Sequence, residues 1–286
     1  MLLTGSLLSL NFQKNGNDMQ INLEGKVALV CASTRGLGYA CALGIVRAGG
    51  EVIITGRTQS GLEHAKSQLV ASVAEEGAEA SVHTMVVDLD DRSAFDRFLV
   101  DLKNYPDVDI LVANSGGPAP GDFNSFSSVV EFEQKCSEIT YAATSLIKYV
   151  LPNMREKSWG RIINISSIGL AKPITGLAVS NASRAHLAGL MTGIANENAA
   201  FGVTLNTVLP GIIWTDRQRL LTQHDAEVNG ISLEEMIERK SSSVPTGKMG
   251  EPEDVGNLVT FLSSDYAGYI NSQNIAVDGG FLGLLR

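Results

Sequence analysis

Residues 26–38, KVALVCASTRGLG, decide the fold of this chain. They form a short apolar run, a turn with two glycines and the start of an apolar helical pattern, an order that is typical of a nucleotide-binding βαβ unit. The glycines let a backbone approach a pyrophosphate, and the helix N-terminus offers free N–H groups. A tight turn built only for packing is the alternative. The predicted cofactor-binding turn residues are Ala32, Ser33, Thr34, Arg35, Gly36, Leu37 and Gly38.

Short apolar runs alternate with longer helical patterns along the rest of the chain, which is the rhythm of βαβ units. Strands as uniformly apolar as residues 27–30 belong in a parallel sheet that helices cover on both faces. The sequence therefore predicts an α/β fold. The predicted strands are 26–31, 51–55, 80–87, 109–113, 161–165, 203–209 and 274–277, and the predicted helices are 37–48, 61–76, 93–103, 129–154, 178–200 and 252–263.

The pattern predicts one domain, residues 21–286, because no internal repeat or linker divides it. Residues 1–20 have no sustained period and are interpreted as a flexible N-terminal extension. Residues 212–248 are the least strand-like and most irregular part of the domain. We call them the lid segment, since they are the natural candidate for a lid over a substrate.

Composition excludes several classes of protein. The chain is 44% hydrophobic and 19% charged, with 29 Gly and 8 Pro, as a packed globular core requires. Its net charge of −9 argues against a nucleic-acid partner. No apolar run approaches the roughly 18 residues of a membrane span. The 3 cysteines suit neither a closed disulfide set nor a metal site, so we expect a cytoplasmic protein without a metal.

The end of the second predicted strand indicates which nucleotide binds. An acid that would bind a ribose 2′-hydroxyl is expected about 20 residues past the glycines, but the strand ends Ile54-Thr55-Gly56-Arg57. Arg57 suits the 2′-phosphate of NADP, because guanidinium matches phosphate geometry, and Arg35 could flank the same group. The alternative for Arg57 is an ordinary solvated loop charge. The predicted cofactor is NADP(H).

Several motifs in the same order resemble the short-chain dehydrogenase/reductase family, in particular its ketoacyl-carrier-protein-reductase-like branch, over residues 23–281. The glycine turn resembles TGxxxGxG with Cys31-Ala32 in place of Thr-Gly, and residues 113–116 resemble Asn-Asn-Ala-Gly. The resemblance implies a Rossmann-type doubly wound sheet in a single domain, and commonly a homotetramer, with a homodimer as the alternative. Further cofactor contacts that it implies are Asp88, Leu89, Asn114, Ser115, Gly116, Ile165, Pro210, Gly211, Ile212 and Thr215.

The catalytic positions depart from that resemblance. Residues 161–167 match the strand that ends in the family's catalytic serine, here Ser167. The family's YxxxK motif begins thirteen residues later, where this chain has Ser180 and Arg184. The family's catalytic asparagine is replaced by Ile139 or Thr140. A serine hydroxyl is far less acidic than a phenol with a pKa near 10, so Ser180 cannot replace the tyrosine without a relay.

Three interpretations remain open at this stage. The chain is a reductase of a small carbonyl or alcohol, a non-catalytic NADP(H)-binding sensor or partner subunit, or a relic with neither function. In a reductase, the proton donor is water, Ser167, Ser180, Lys172 or Tyr141, although Lys172 is more often a solvated loop residue and Tyr141 a core residue. Arg184 could hold the nicotinamide ribose. A small anionic substrate could be bound by Arg184, Arg217 or Arg219.

Overall fold

The computed structural model describes residues 20–75, 77 and 79–283. The predicted N-terminal extension, residues 1–20, lies outside the described residues except for its last position. Among the helices of the described ranges, none is both long enough and apolar enough to cross a membrane.

Seven parallel strands form one sheet in the order β3-β2-β1-β4-β5-β6-β7, which confirms the predicted doubly wound α/β fold. All four residues of β1 are buried, as expected for a strand covered on both faces. The order reverses between β1 and β4, so the carboxyl ends of these two strands border the crevice where such folds bind ligands. The strands are β1 Val27–Val30, β2 Glu51–Gly56, β3 Val82–Val86, β4 Ile110–Ala113, β5 Gly160–Ile165, β6 Val203–Pro210 and β7 Asn274–Val277.

Helices cover the sheet on both faces and enclose two apolar cores. One core packs α1, α2 and α8 against the sheet, and the other packs α3, α4 and α5 against the opposite face. Each face therefore has its own helical layer. The helices are α1 Gly36–Arg47, α2 Gln59–Ala74, α3 Arg92–Asp101, α4 Val129–Glu156, α5 Ala178–Asn198, α6 Asp216–Asn229, α7 Leu233–Ser242 and α8 Pro252–Leu262.

Side-chain caps define where several helices begin. Thr58, Asp91 and Ser128 each accept a hydrogen bond from a backbone N–H in the first turn of α2, α3 and α4. The residue before α1, Arg35, makes no such bond, and the first turn of α1 contains no acid. The N–H groups at the start of α1 are thus left for another partner.

The lid segment is more regular than the sequence analysis predicted. It contains α6 and α7, which begin at the caps Thr215 and Ser232. Gly230, with a φ of +65°, ends α6 in the left-handed conformation that glycine favours. The expectation of an irregular segment was wrong because both helices are mostly polar and bury few residues, Thr222 and Ala226 in α6 and Met236 in α7, so they lack the apolar content of a core helix.

Candidate functional site

A cleft lies at the carboxyl ends of β4 and β5, between α4 and α5. It occupies the crevice that the strand order creates. The residues that line it are Cys31, Leu89, Asp90, Ala113, Asn114, Ser115, Gly116, Gly117, Pro118, Glu138, Ile139, Ala142, Ala143, Leu146, Asn164, Ile165, Ser166, Ser180, Arg184 and Leu187. Among the predicted site residues, it brings together Leu89, Asn114, Ser115, Gly116, Ile165, Ser180 and Arg184.

The glycine turn is held by hydrogen bonds to the ends of β1 and β2. The Ala32 N–H donates to Thr55 Oγ1 at 3.0 Å, and the fully buried Ser33 donates from Oγ to the Val30 carbonyl at 2.7 Å. Ala32 has a φ of +47°, and it stands at a position where the family has glycine. The Ser33 side chain is therefore part of the scaffold. Of the residues that follow it, Arg35 is exposed, and Thr34 and Gly36 are half-buried.

Asn114 joins the end of β4 to the same turn. Its Nδ2 donates to the carbonyls of Cys31 and Ala32, at 3.2 and 3.3 Å. A Cβ on Gly38 would collide with the backbone carbonyl of Ala32, so the first turn of α1 can lie this close to the glycine turn only because residue 38 is glycine. The loop after β4 and the glycine turn thus form one continuous rim.

Charged side chains follow the ends of β2 and β3. Arg57 is exposed directly after β2. Asp88 accepts a hydrogen bond from the Asp90 N–H at 3.1 Å. Burial raises the pKa of Asp90, the charge of Asp88 adds to this, and the charge of Arg57 opposes it. Arg57 is therefore close enough to these carboxylates to affect the titration of Asp90.

Ser180 and Arg184 form a pair on one face of α5. Arg184 donates from Nε to Ser180 Oγ at 3.0 Å, and Ser180 is 9% exposed. Burial, together with the smaller effect of the positive charge of Arg217, lowers the pKa of Arg184 to about 10. The guanidinium is still protonated at neutral pH, so it can stabilise a negative oxygen in the cleft.

Two consecutive serines at the end of β5 have different roles. Ser167 accepts a hydrogen bond from the Gly169 N–H at 3.1 Å, which caps the short helical turn after it. Ser166 lines the cleft, is 7% exposed, and its hydroxyl has no hydrogen-bond partner among the described residues. The sequence analysis missed Ser166 because the family resemblance points to Ser167.

The structure separates the other predicted proton donors from the cleft lining. Tyr141 donates its hydroxyl to Asp96 at 2.7 Å and packs its ring against Phe95 and Arg92. It is therefore a packed tyrosine with a satisfied hydroxyl. Lys172 is exposed, and its Nζ lies 5.8 Å from the centre of the Phe281 ring.

The position of the family asparagine is occupied by an apolar side chain. Ile139 lines the cleft, whereas Thr140 donates back to the carbonyl of Cys136 at 3.2 Å within α4. Asp90 and Glu138, which sequence reasoning also missed, line the same cleft. Across the described ranges, no group of three or more His, Cys, Asp or Glu side chains could hold a metal ion.

The start of α6 lies against the glycine turn. Thr215 is the nearest side chain to the space above Gly36, and Arg35 pairs with Asp216 at 3.5 Å. With 73% and 69% of these two side chains exposed, the pair adds little stability. Of the predicted contacts just before α6, Pro210 is the last residue of β6, and Gly211 and Ile212 follow the strand. The Gly211 N–H donates to the Val277 carbonyl at 2.9 Å.

Known proteins share this architecture over nearly the whole chain. The family model described as enoyl-(acyl carrier protein) reductase matches residues 31–282. The 3-oxoacyl-[acyl-carrier-protein] reductase of Haemophilus influenzae is 34% identical over 259 residues, covering 90% of this chain and 98% of the relative.

Two solved structures are similar. YwfH, an NADPH dependent reductase involved in bacilysin biosynthesis, has a TM-score of 0.82 and 26% identity over 91% of this chain and 99% of that one. A 3-oxoacyl (acyl-carrier-protein) reductase from Agrobacterium tumefaciens C58, with NADP bound, has a TM-score of 0.79 and 25% identity over 94% and 99%. The chain therefore belongs to the short-chain dehydrogenase/reductase family and is an NAD(P)-dependent oxidoreductase.

Proposed function

We propose that the protein is an NADP(H)-dependent reductase or dehydrogenase of a small carbonyl or alcohol, with an atypical route for the proton. One observation carries the choice of NADP(H): Arg57, and no acid, follows β2, and the α1 N-terminus that follows the paired strand β1 has no side-chain cap. A bare helix N-terminus favours a pyrophosphate, and guanidinium favours a 2′-phosphate.

The residues present fit this cofactor. Thr34, Arg35 and Gly36 form the part of the turn that would hold the pyrophosphate, and Arg57 would hold the 2′-phosphate. Asp88 and Leu89 would contact the adenine, and Arg184 the nicotinamide ribose. When bound, the cofactor supplies or accepts the hydride, while the protein supplies position and charge.

Three side chains of the cleft would stabilise charge on the reacting oxygen or donate to it: Ser180, Ser166 and Arg184. In the reducing direction, a carbonyl oxygen would gain negative charge as its carbon receives hydride, and the half-buried Arg184 guanidinium would stabilise that charge. The Ser180 hydroxyl, which accepts from Arg184 Nε, can donate its own proton toward the oxygen and regain one from water. Ser167 is engaged as a cap and Lys172 lies outside the cleft lining, which favours a Ser180 and water relay over either of them.

Calorimetric titration with NADPH and NADH tests the cofactor part first. We expect tight binding of NADPH and weak binding of NADH. Turnover against a panel of carbonyl compounds then tests the reaction. NADPH binding without turnover of any compound would favour a non-catalytic NADP(H) sensor, and binding of neither nucleotide would overturn the proposal.

A double substitution tests the proton route. Ser180→Tyr with Arg184→Lys reconstructs the family motif in a cleft of the same fold, so reduction of generic carbonyl compounds should rise by about tenfold or more, within the usual range for a positioned general acid. Steady-state kinetics measure the effect. An unchanged rate, alongside real turnover by the unaltered protein, would mean that the proton enters from elsewhere.

The oligomeric state and the compartment follow from the family resemblance and the cysteine content alone. We expect a homotetramer or homodimer in the cytoplasm, without nucleic-acid partners. Light scattering of the purified protein measures the oligomeric state, and a monomer at micromolar concentration would contradict the expected homotetramer or homodimer.

A further inference from the structure

Two guanidinium groups lie at the cleft, and neither of them is paired with a carboxylate of the described residues. Arg184 lines the cleft, and Arg217 at the start of α6 is close enough for its charge to affect the pKa of Arg184. Neither makes an ion pair within the described ranges, although seven other pairs occur there. Bringing two like charges together costs free energy, which a bound anion would offset.

Arg217 has a defined place at the cleft. Its Nη1 donates to the Gly117 carbonyl at 3.2 Å and its Nη2 points toward the Pro118 carbonyl at 3.5 Å. A Cβ on residue 117 would lie 2.9 Å from both Nη atoms, so the guanidinium packs directly against the open side of this glycine. Gly117 and Pro118 themselves line the cleft, which places Arg217 at its rim.

Ser166 adds a second, independent sign of a missing ligand. Its hydroxyl is buried in the same cleft and has no partner among the described residues, and a buried polar group of this kind normally has one. The acids of the cleft belong to other elements: Glu138 on α4 pairs with Lys135 at 2.9 Å, and Asp90, in the loop after β3, lies near Arg57, Asp88 and Glu138. The α5 and α6 side of the cleft is therefore positive.

We propose that the substrate carries a carboxylate close to the carbonyl or hydroxyl carbon, and that Arg217 and Arg184 bind it. The substrate is then a small oxo acid or the corresponding hydroxy acid. A guanidinium has five N–H donors, so Arg184 can bond Ser180 and still reach both a ribose and a carboxylate. Ser166 donates to the same end of the substrate. This proposal rests on the proposed NADP(H)-dependent reaction and specifies its substrate class.

Paired acid and ester probes test the charge directly. Acetoacetate and methyl acetoacetate, then 3-oxohexanoate and its methyl ester, are titrated into the protein saturated with NADP+. We expect at least one acid to bind about tenfold or more tightly than its ester, as one charge-assisted hydrogen bond allows. Arg217→Gln should remove this preference. Arg97→Gln, which changes an exposed arginine of α3 bonded to Ser93, is the matched control and should keep it.

Three outcomes would overturn the proposal. Acids that bind no better than their esters at either chain length show that no carboxylate is recognised. A preference that survives Arg217→Gln excludes this arginine. A loss of NADP+ affinity in Arg217→Gln, with the acid preference kept, assigns the arginine to a cofactor phosphate. If the unaltered protein fails to bind NADP(H), the proposed function fails, and the same acid and ester titrations on the free protein still test the anion site.

Discussion

Arg57 is a single residue on which the choice of cofactor depends. Arg57→Ala removes a guanidinium that would bind the 2′-phosphate, a group that NADH lacks. We expect NADPH affinity to fall by about tenfold to a hundredfold, the range for a charge-assisted hydrogen bond, with NADH affinity almost unchanged. Calorimetry with both nucleotides measures this, and Arg97→Ala serves as the control. Equal losses for NADPH and NADH would rule out the 2′-phosphate contact.

Ala32 is strained at the position where the family has glycine. Its φ of +47° lies in the left-handed region, which costs a residue with a Cβ about 1–2 kcal/mol. Ala32→Gly relieves this cost but makes the unfolded chain more flexible, so we expect a net gain of about 0.5–1 kcal/mol in the free energy of unfolding.

Urea denaturation measures the effect of Ala32→Gly. Ala48→Gly, at the end of α1 with a φ of −82°, is the control and should give no gain. An Ala32→Gly protein that is less stable than the unaltered one would mean that the strain is absent or is compensated.

At the scale of elements, α1 and α8 pack closely through glycine. A Cβ on Gly256 of α8 would lie 2.6 Å from the Ala40 carbonyl oxygen in α1, and this backbone atom cannot move aside cheaply. Gly256→Ala should therefore destabilise the protein by about 1–3 kcal/mol through overpacking.

The matched control for Gly256→Ala is Gly189→Ala on α5. A Cβ there meets nothing within 4 Å, so this substitution should stabilise the helix by about 0.5–1 kcal/mol. Thermal unfolding compares the two variants with the parent. The same sign for both variants would contradict the close packing of α1 on α8.

At the scale of the whole molecule, the predicted cofactor contacts come from the ends of the six strands β1 to β6. A ligand bound there links segments that are far apart in the chain, and it stabilises the folded state as a whole by mass action. NADPH at about 100 times its Kd should add about 2.7 kcal/mol and raise Tm by about 5 °C or more.

Scanning fluorimetry measures this shift, with NADH at the same concentration as the comparison. The Tm shift with NADH should be clearly smaller than the shift with NADPH. In Arg57→Ala, the NADPH shift should fall to about the size of the NADH shift. Equal shifts for both nucleotides in the unaltered protein would contradict a preference for NADP(H).

The sequence by itself determined the α/β class, the parallel sheet and the position of the glycine turn. These features depend on apolar period and turn residues within short contiguous segments, such as residues 26–38, and local sequence carries that information. The order of motifs was enough to identify the family. The lid segment was the exception, because α6 and α7 are mostly polar and bury few residues.

Only the tertiary structure decided which side chains face the cleft. Ser166 and Ser167 are neighbours in the chain, yet Ser166 lines the cleft while Ser167 caps a turn. Arg217 reaches Gly117, 100 residues earlier, because β6 and β4 end at the same edge of the sheet. Such contacts join segments that are far apart in the sequence. The geometry, burial and electrostatics of the site therefore arise only once the sheet has formed.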